Sequence, residues 1–147
     1  MIALAWHEVS FSGVVLAGLV AGYVMAIAGL WAGQVPGLIA IDIADYGRRY
    51  MVSDRTSAWL LGFASHLVNS VLLVLLWACV IEPNFDWPRP LLGLLWGEVL
   101  AVTLAGAVVA PLSGLGVYGR KTGSARYALT TVVLHAIWGL LVGVIYS

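Results

Sequence analysis

The chain has 147 residues, of which 62% are hydrophobic and only 10% are charged. A water-soluble domain uses roughly 25% charged residues, so this composition excludes an ordinary soluble protein and indicates a membrane protein. The seven basic and seven acidic residues give no net charge, which leaves no basic surface for nucleic acid. The single cysteine, Cys79, excludes an internal disulfide and a cysteine-based metal site.

Four uninterrupted apolar runs are long enough to cross a bilayer, which takes about 20 helical residues. They cover residues 11–33, 57–81, 90–112 and 125–146. None alternates as a strand does, so we predict a single all-α membrane domain over residues 1–147 with four transmembrane helices. The first run follows no Lys or Arg and precedes no cleavage site, and we expect it to be retained.

The basic residues predict the orientation of these spans. Those in the connections between spans 1 and 2 and between spans 3 and 4 are Arg48, Arg49, Arg55, Arg120, Lys121 and Arg126. Only Arg89 lies in the other connection. By the positive-inside rule the first two connections are cytoplasmic. We therefore expect a multi-pass protein of the prokaryotic inner membrane with both termini on the outer side.

The second half of the chain repeats a pattern of the first, with repeat 1 at about 11–82 and repeat 2 at about 90–147. The matches keep the same order and depth. They pair Gly18 with Gly93, Gly22 with Gly97, Tyr46-Gly47 with Tyr118-Gly119, and His66 with His135. Each unit holds two spans, so both halves share one orientation. The pattern predicts two tandem parallel helical hairpins rather than an inverted repeat.

Four glycine pairs have a spacing of four residues, which lets helix backbones approach closely in lipid. Such pairs pack helices inside one bundle or dock a helix of another subunit. Four pairs exceed what a four-helix bundle needs for its own contacts, and this favours a partner. The pairs are Gly18 with Gly22, Gly29 with Gly33, Gly93 with Gly97, and Gly139 with Gly143.

The connection between spans 1 and 2 carries apolar residues at helical spacing. Ile39, Ile43, Tyr46 and Tyr50 recur on one side, with Asp45 on the other. This pattern predicts a short amphipathic helix lying in the membrane interface. It would serve as a surface anchor or as a docking surface for a neighbouring protein.

Few ionisable side chains lie deep in the spans. His66 and His135 occupy matched depths near the midplane, and Glu98 lies roughly 5 Å further out, at 1.5 Å per residue. Tyr23 is the repeat mate of Glu98. Ionisable residues are costly inside a membrane, so they are candidates for function.

Three interpretations of these residues remain open. Neutral histidines could bond to carbonyls or polar side chains and lock the bundle. Alternatively, His66 and His135 could ligate a b-type haem or contact a quinone, with Glu98 and Tyr23 beside the site. Finally, Glu98 and the histidines could form the proton path of a channel or transporter. We expect no catalytic residues and no metal site.

Two motifs carry a resemblance. Gly-Leu-x-x-Gly occurs in spans 1 and 3, and the last span reads His135-x-x-Trp138-Gly139-x-x-x-Gly143-x-x-Tyr146. Over most of its length the chain resembles a family of small four-helix prokaryotic integral membrane proteins. The resemblance implies an accessory protein of membrane redox machinery rather than an enzyme. We therefore expect a non-catalytic subunit of a respiratory or other electron-transfer assembly, in contact with lipids and other integral membrane subunits.

Overall fold

The computed structural model describes residues 6–146, and this part of the chain is helical without a strand. The helices are α1 (Phe11–Trp31), α2 (Asp45–Met51), α3 (Thr56–Leu76), α4 (Arg89–Leu100), α5 (Ala110–Leu112) and α6 (Arg126–Ile145). A π-helical turn, Trp77–Ile81, continues α3, and a longer π-helical stretch, Ala101–Val109, joins α4 to α5.

Four helical segments are long and apolar enough to cross a membrane: Phe11–Gln34, Thr56–Asn84, Arg89–Leu112 and Arg126–Ile145. The four predicted apolar helices are thus confirmed, with ends that differ by at most three residues. Local signals set two of the starts. The Ser10 hydroxyl accepts a hydrogen bond from the Gly13 N–H at 3.2 Å, and Pro90 occupies the first turn of α4, where its missing N–H costs no hydrogen bond.

The helices pack as two neighbouring pairs. Helix α1 packs against α3, α4 packs against α6, and the contact between α1 and α6 joins the pairs. Large apolar side chains on the outer faces of all four long helices remain exposed. Examples are Leu16 on α1, Leu60 and Leu72 on α3, Val99 on α4 and Val144 on α6.

All four glycine pairs lie at contacts inside the described bundle. A Cβ at Gly18 or Gly22 would overlap α3, at Val71 or Ser70. Gly93 and Gly97 face Gly139, Gly143 and the backbone of His135 on α6, while Gly29 and Gly33 face the backbone of residues 40–41. The argument that surplus glycine pairs favour a partner subunit therefore no longer applies.

The connection after α1 begins with a single 3-10 turn, Ala32–Gln34, and becomes helical again only at α2. Helix α2 covers Asp45–Met51, and residues 38–42 have no regular structure. The Ile41 N–H donates to the Gly29 carbonyl at 2.9 Å, and the Ile39 N–H donates to Thr130 Oγ1 at 3.0 Å. Because these bonds hold the segment across the end of the bundle, the prediction that Ile39 and Ile43 share one helical face with Tyr46 and Tyr50 was wrong.

Valine at Gly139 should destabilise the fold, because its Cβ would overlap the Gly93 backbone, which cannot rotate away as a side chain can. We expect a loss of at least about 1–3 kcal/mol in the free energy of unfolding, measured by sodium dodecyl sulfate titration in mixed micelles. Leu140→Val is the matched control, since Leu140 is exposed on the same helix. Equal stability of the two variants would contradict this packing.

Candidate functional site

A cavity of about 140 Å³ lies between α3 and the π-helical stretch Ala101–Val109. Helix α2 covers one end with Tyr46 and Tyr50, and Leu104 and Ala105 form the wall opposite α3. The lining residues from α3 and α6 include Ser65, His66, Asn69, Ser70, Thr131, His135 and Trp138. None of the residues that line the cavity is an Asp, Glu, Lys or Arg. When the two histidines are neutral, the wall therefore carries no formal charge.

The two matched histidines both line this cavity, and each is held by a backbone carbonyl. His66 Nε2 lies 2.9 Å from the Gly22 carbonyl oxygen of α1. His135 Nδ1 lies 2.8 Å from the Thr131 carbonyl oxygen, one turn earlier in its own helix. Both histidines thus bond to backbone carbonyls, one of the kinds of partner that the sequence suggested for neutral rings.

These carbonyl contacts assign the hydrogens of the two rings. A carbonyl oxygen only accepts, so His66 carries its hydrogen on Nε2 and His135 carries its hydrogen on Nδ1. The second nitrogen of each ring has no hydrogen-bond partner in the described part of the chain, and neither of these two atoms is fully buried. As neutral rings, the two histidines therefore offer one bare acceptor nitrogen each.

Ser70 connects three helices at the base of the cavity. Its Oγ donates to the Gly18 carbonyl of α1 at 2.7 Å and accepts from Trp138 Nε1 of α6, also at 2.7 Å. Ser70 is 3% exposed and Trp138 is 3% exposed. The Ser70 hydroxyl hydrogen and the Trp138 N–H thus both have acceptors, and the indole forms a flat, rigid part of the cavity wall.

Asn69 lies one residue before Ser70 and is exposed in the middle of an apolar helix. Its amide makes no hydrogen bond within residues 6–146. Ser65, one turn away, is also exposed, and its hydroxyl donates to the Gly62 carbonyl of its own helix at 2.9 Å. The cavity therefore opens beside α3 along two polar residues.

The other two predicted site residues lie away from the cavity. Tyr23 is 53% exposed on α1, and its ring makes an edge contact with Phe63 at 6.4 Å between centroids. Glu98 lies half-exposed on α4, and its carboxyl has no hydrogen bond or ion pair with any described residue. The structure brings His66 and His135 together on one cavity and leaves Glu98 and Tyr23 outside it.

Sequence reasoning missed how α2 closes the cavity. The hydroxyl groups of Tyr46 and Tyr127 lie 2.7 Å apart, which links α2 to the first turn of α6. Burial, and next the neighbouring Tyr127, raise the pKa of the Tyr46 phenol far above its ordinary value. It stays a neutral hydrogen-bonding group. The helical spacing of Tyr46 and Tyr50 was visible in the sequence, but their position over the histidines depends on tertiary contacts.

No protein-family model, curated protein or solved structure matches this chain. The resemblance to small four-helix membrane proteins therefore stays a prediction. In residues 6–146, no three or more His, Cys, Asp or Glu side chains are grouped so that they could hold a metal ion.

Replacing Ser70 by alanine should destabilise the bundle, because the buried Trp138 N–H loses its only acceptor. We expect a cost of about 1–3 kcal/mol in the free energy of unfolding, measured in mixed micelles. Ser65→Ala is the control, since this hydroxyl bonds only within its own helix, and its change should stay within about 0.5 kcal/mol. Equal effects of the two substitutions would show that the three-helix link does not stabilise the fold.

Proposed function

We propose that this chain is a multi-pass protein of the prokaryotic inner membrane, with α2 at the cytoplasmic face and both termini outside. The apolar outer faces of all four long helices support insertion in lipid. The six basic residues in the connections at the α2 end support the orientation. We also propose that the two hairpins are tandem repeats, because Gly18 and Gly22 face α3 as Gly93 and Gly97 face α6.

Within this membrane protein, we propose that the cavity binds a small neutral ring, without catalysis. The observation that supports this most is the convergence of one histidine from each hairpin on the same space, each with one nitrogen unpartnered. A bundle whose histidines only locked its helices together would need no open space beside the two rings. The unpartnered Asn69 amide at the opening adds a polar group that a ligand would satisfy.

The size of the cavity argues against haem. A cavity of about 150 Å³ holds one benzene molecule, and the cavity here has about 140 Å³. A haem has four pyrrole rings in one macrocycle and does not fit in that space. His66 also has its Nε2 committed to the Gly22 carbonyl. The volume of the cavity therefore does not fit a haem between the two histidines, and of the cofactors considered from the sequence only the head of a quinone-type molecule agrees in size.

Filling the cavity should abolish ring binding. Ala105 lines the cavity, whereas Ala107 on the same π-helical stretch is exposed. Hydroquinone and 1,4-difluorobenzene are suitable probes, titrated into full-length protein in nanodiscs with empty nanodiscs as the partition control. We expect at least one probe to bind both the unchanged protein and the Ala107→Phe variant. The Ala105→Phe variant should bind that probe at least tenfold more weakly.

Failure of both probes to bind the unchanged protein would contradict the proposal. Equal binding by the two phenylalanine variants would place any ligand outside the cavity. A haem absorption band in the purified protein that vanishes in His66→Ala and His135→Ala would contradict the size argument.

A role as an accessory subunit of a larger inner-membrane electron-transfer complex is a second proposal, and Glu98 favours it. An intramembrane carboxyl almost always has a partner, yet Glu98 has none in the described bundle and lies partly exposed beside Val99. We propose that a helix of a neighbouring membrane subunit places a hydrogen-bond donor against it. The same reasoning gives no support to a proton path through the histidines, because Glu98 does not line their cavity.

Native purification in a mild detergent tests the role of Glu98. The unchanged chain and Glu98→Gln, which can still hydrogen-bond, should elute with a second membrane subunit in fixed stoichiometry. Glu98→Leu should elute without it, while α4 keeps its apolar character. A lone monomer or a homodimer of the unchanged chain would contradict this second proposal.

A further inference from the structure

The two histidines give the cavity wall two unpartnered hydrogen-bond acceptors. His66 Nδ1 and His135 Nε2 are bare when the rings are neutral, because the opposite nitrogen of each ring must donate to its carbonyl. A protonated ring would be a charge in the bundle interior with no acid on the cavity wall to balance it. Both nitrogens therefore accept hydrogen bonds and do not donate them.

Most donors that α3 and α6 bring to the cavity wall are already engaged, whereas the Tyr50 hydroxyl of α2 accepts from Ser113 Oγ at 3.4 Å and keeps its own hydrogen. Trp138 donates to Ser70, and Ser70 donates to the Gly18 carbonyl. Thr131 donates to the Tyr127 carbonyl at 2.9 Å, and Ser65 donates to Gly62. Of the side chains that α3 and α6 bring to the wall, only Asn69 has an N–H without a partner.

We infer that the ligand is a neutral aromatic ring bearing hydroxyl groups, such as the head of a hydroquinone, and that the site selects it by accepting its O–H hydrogens at His66 and His135. This inference rests on the proposed binding function and adds the chemical class of the ligand. An O–H donor satisfies a bare imidazole nitrogen. A ring of the same size without a donor leaves that nitrogen desolvated and unpaired, which is the asymmetry that gives polar sites their selectivity.

The two bare imidazole nitrogens also distinguish the reduced form of a quinone from the oxidised form. The reduced form has two O–H groups, whereas the oxidised form has two carbonyl oxygens that only accept. Carbonyl oxygens facing bare imidazole nitrogens would pair an acceptor with an acceptor. These two nitrogens therefore favour the reduced form, whereas the carbonyl oxygens of the oxidised form could accept only from Asn69 and Tyr50.

The opening beside α3 allows a hydroxyl-bearing ring to reach the cavity from two sources. Ser65 and Asn69 line the cavity and are exposed on the side of an apolar helix, so a ring attached to an alkyl chain could enter from lipid and leave the chain outside. A free phenolic compound could enter through the same opening. Both sources supply a hydroxyl-bearing ring, and the effect of an added alkyl chain on binding distinguishes them.

The test compares hydroquinone with 1,4-difluorobenzene, which has a similar size and no O–H, on the full chain in nanodiscs. We expect hydroquinone to bind at least tenfold more tightly after correction for partition into empty nanodiscs. His135→Phe keeps an aromatic ring but loses the acceptor, and it should remove most of that preference. His7→Phe is the matched control, because His7 is exposed and does not line the cavity.

The outcomes separate this inference from the binding function itself. If neither probe binds, both are overturned. If both probes bind the unchanged chain equally, the cavity binds rings but the inferred class is overturned, and this comparison does not depend on whether His135→Phe folds. Adding a ten-carbon chain to the hydroquinone identifies the source: tighter corrected binding supports a lipid-phase hydroquinone, and unchanged binding supports a free phenolic compound.

Discussion

Two glycines of α1 let α3 come close enough for its polar side chains to reach the carbonyls of α1. The Gly18 carbonyl accepts from Ser70, and the Gly22 carbonyl accepts from His66. With any larger residue at these positions, a Cβ would occupy the space that Val71 and Ser70 fill. In an apolar environment, helices associate through close packing and hydrogen bonds rather than hydrophobic burial. The close contact between α1 and α3 therefore packs the two helices and also gives Ser70 and His66 their hydrogen-bond partners.

This arrangement also determines the chemistry of the cavity. Once the Gly22 and Thr131 carbonyls have taken one hydrogen from each imidazole, the opposite nitrogens are left as acceptors. Ser70 has no remaining hydrogen to donate because the Gly18 carbonyl takes it, and it holds the Trp138 indole in place. The hydrogen-bond character of the space between α3 and Ala101–Val109 thus follows from contacts made outside that space.

The parts of the structure that depend on local composition could be predicted, and those that depend on distant contacts could not. Hydropathy alone located the four long helices, and equal depth in two helices predicted a relation between His66 and His135. The irregular path of residues 38–42 depends on the Gly29 carbonyl and on Thr130, which no local pattern reveals. Depth along a helix places Glu98 near the histidines, but rotation about the axis of α4 decides its neighbours, and it turns away from the cavity.

The most direct test of this account is the protonation pattern of the two histidines that line the cavity. The chain has three histidines, so nitrogen-15 labelling of histidine in the full chain gives a simple spectrum, and His7→Gln, His66→Gln and His135→Gln variants assign it. At neutral pH we expect a neutral ring with hydrogen on Nε2 for His66 and a neutral ring with hydrogen on Nδ1 for His135. The same tautomer at both positions, or a doubly protonated ring at either, would contradict the account.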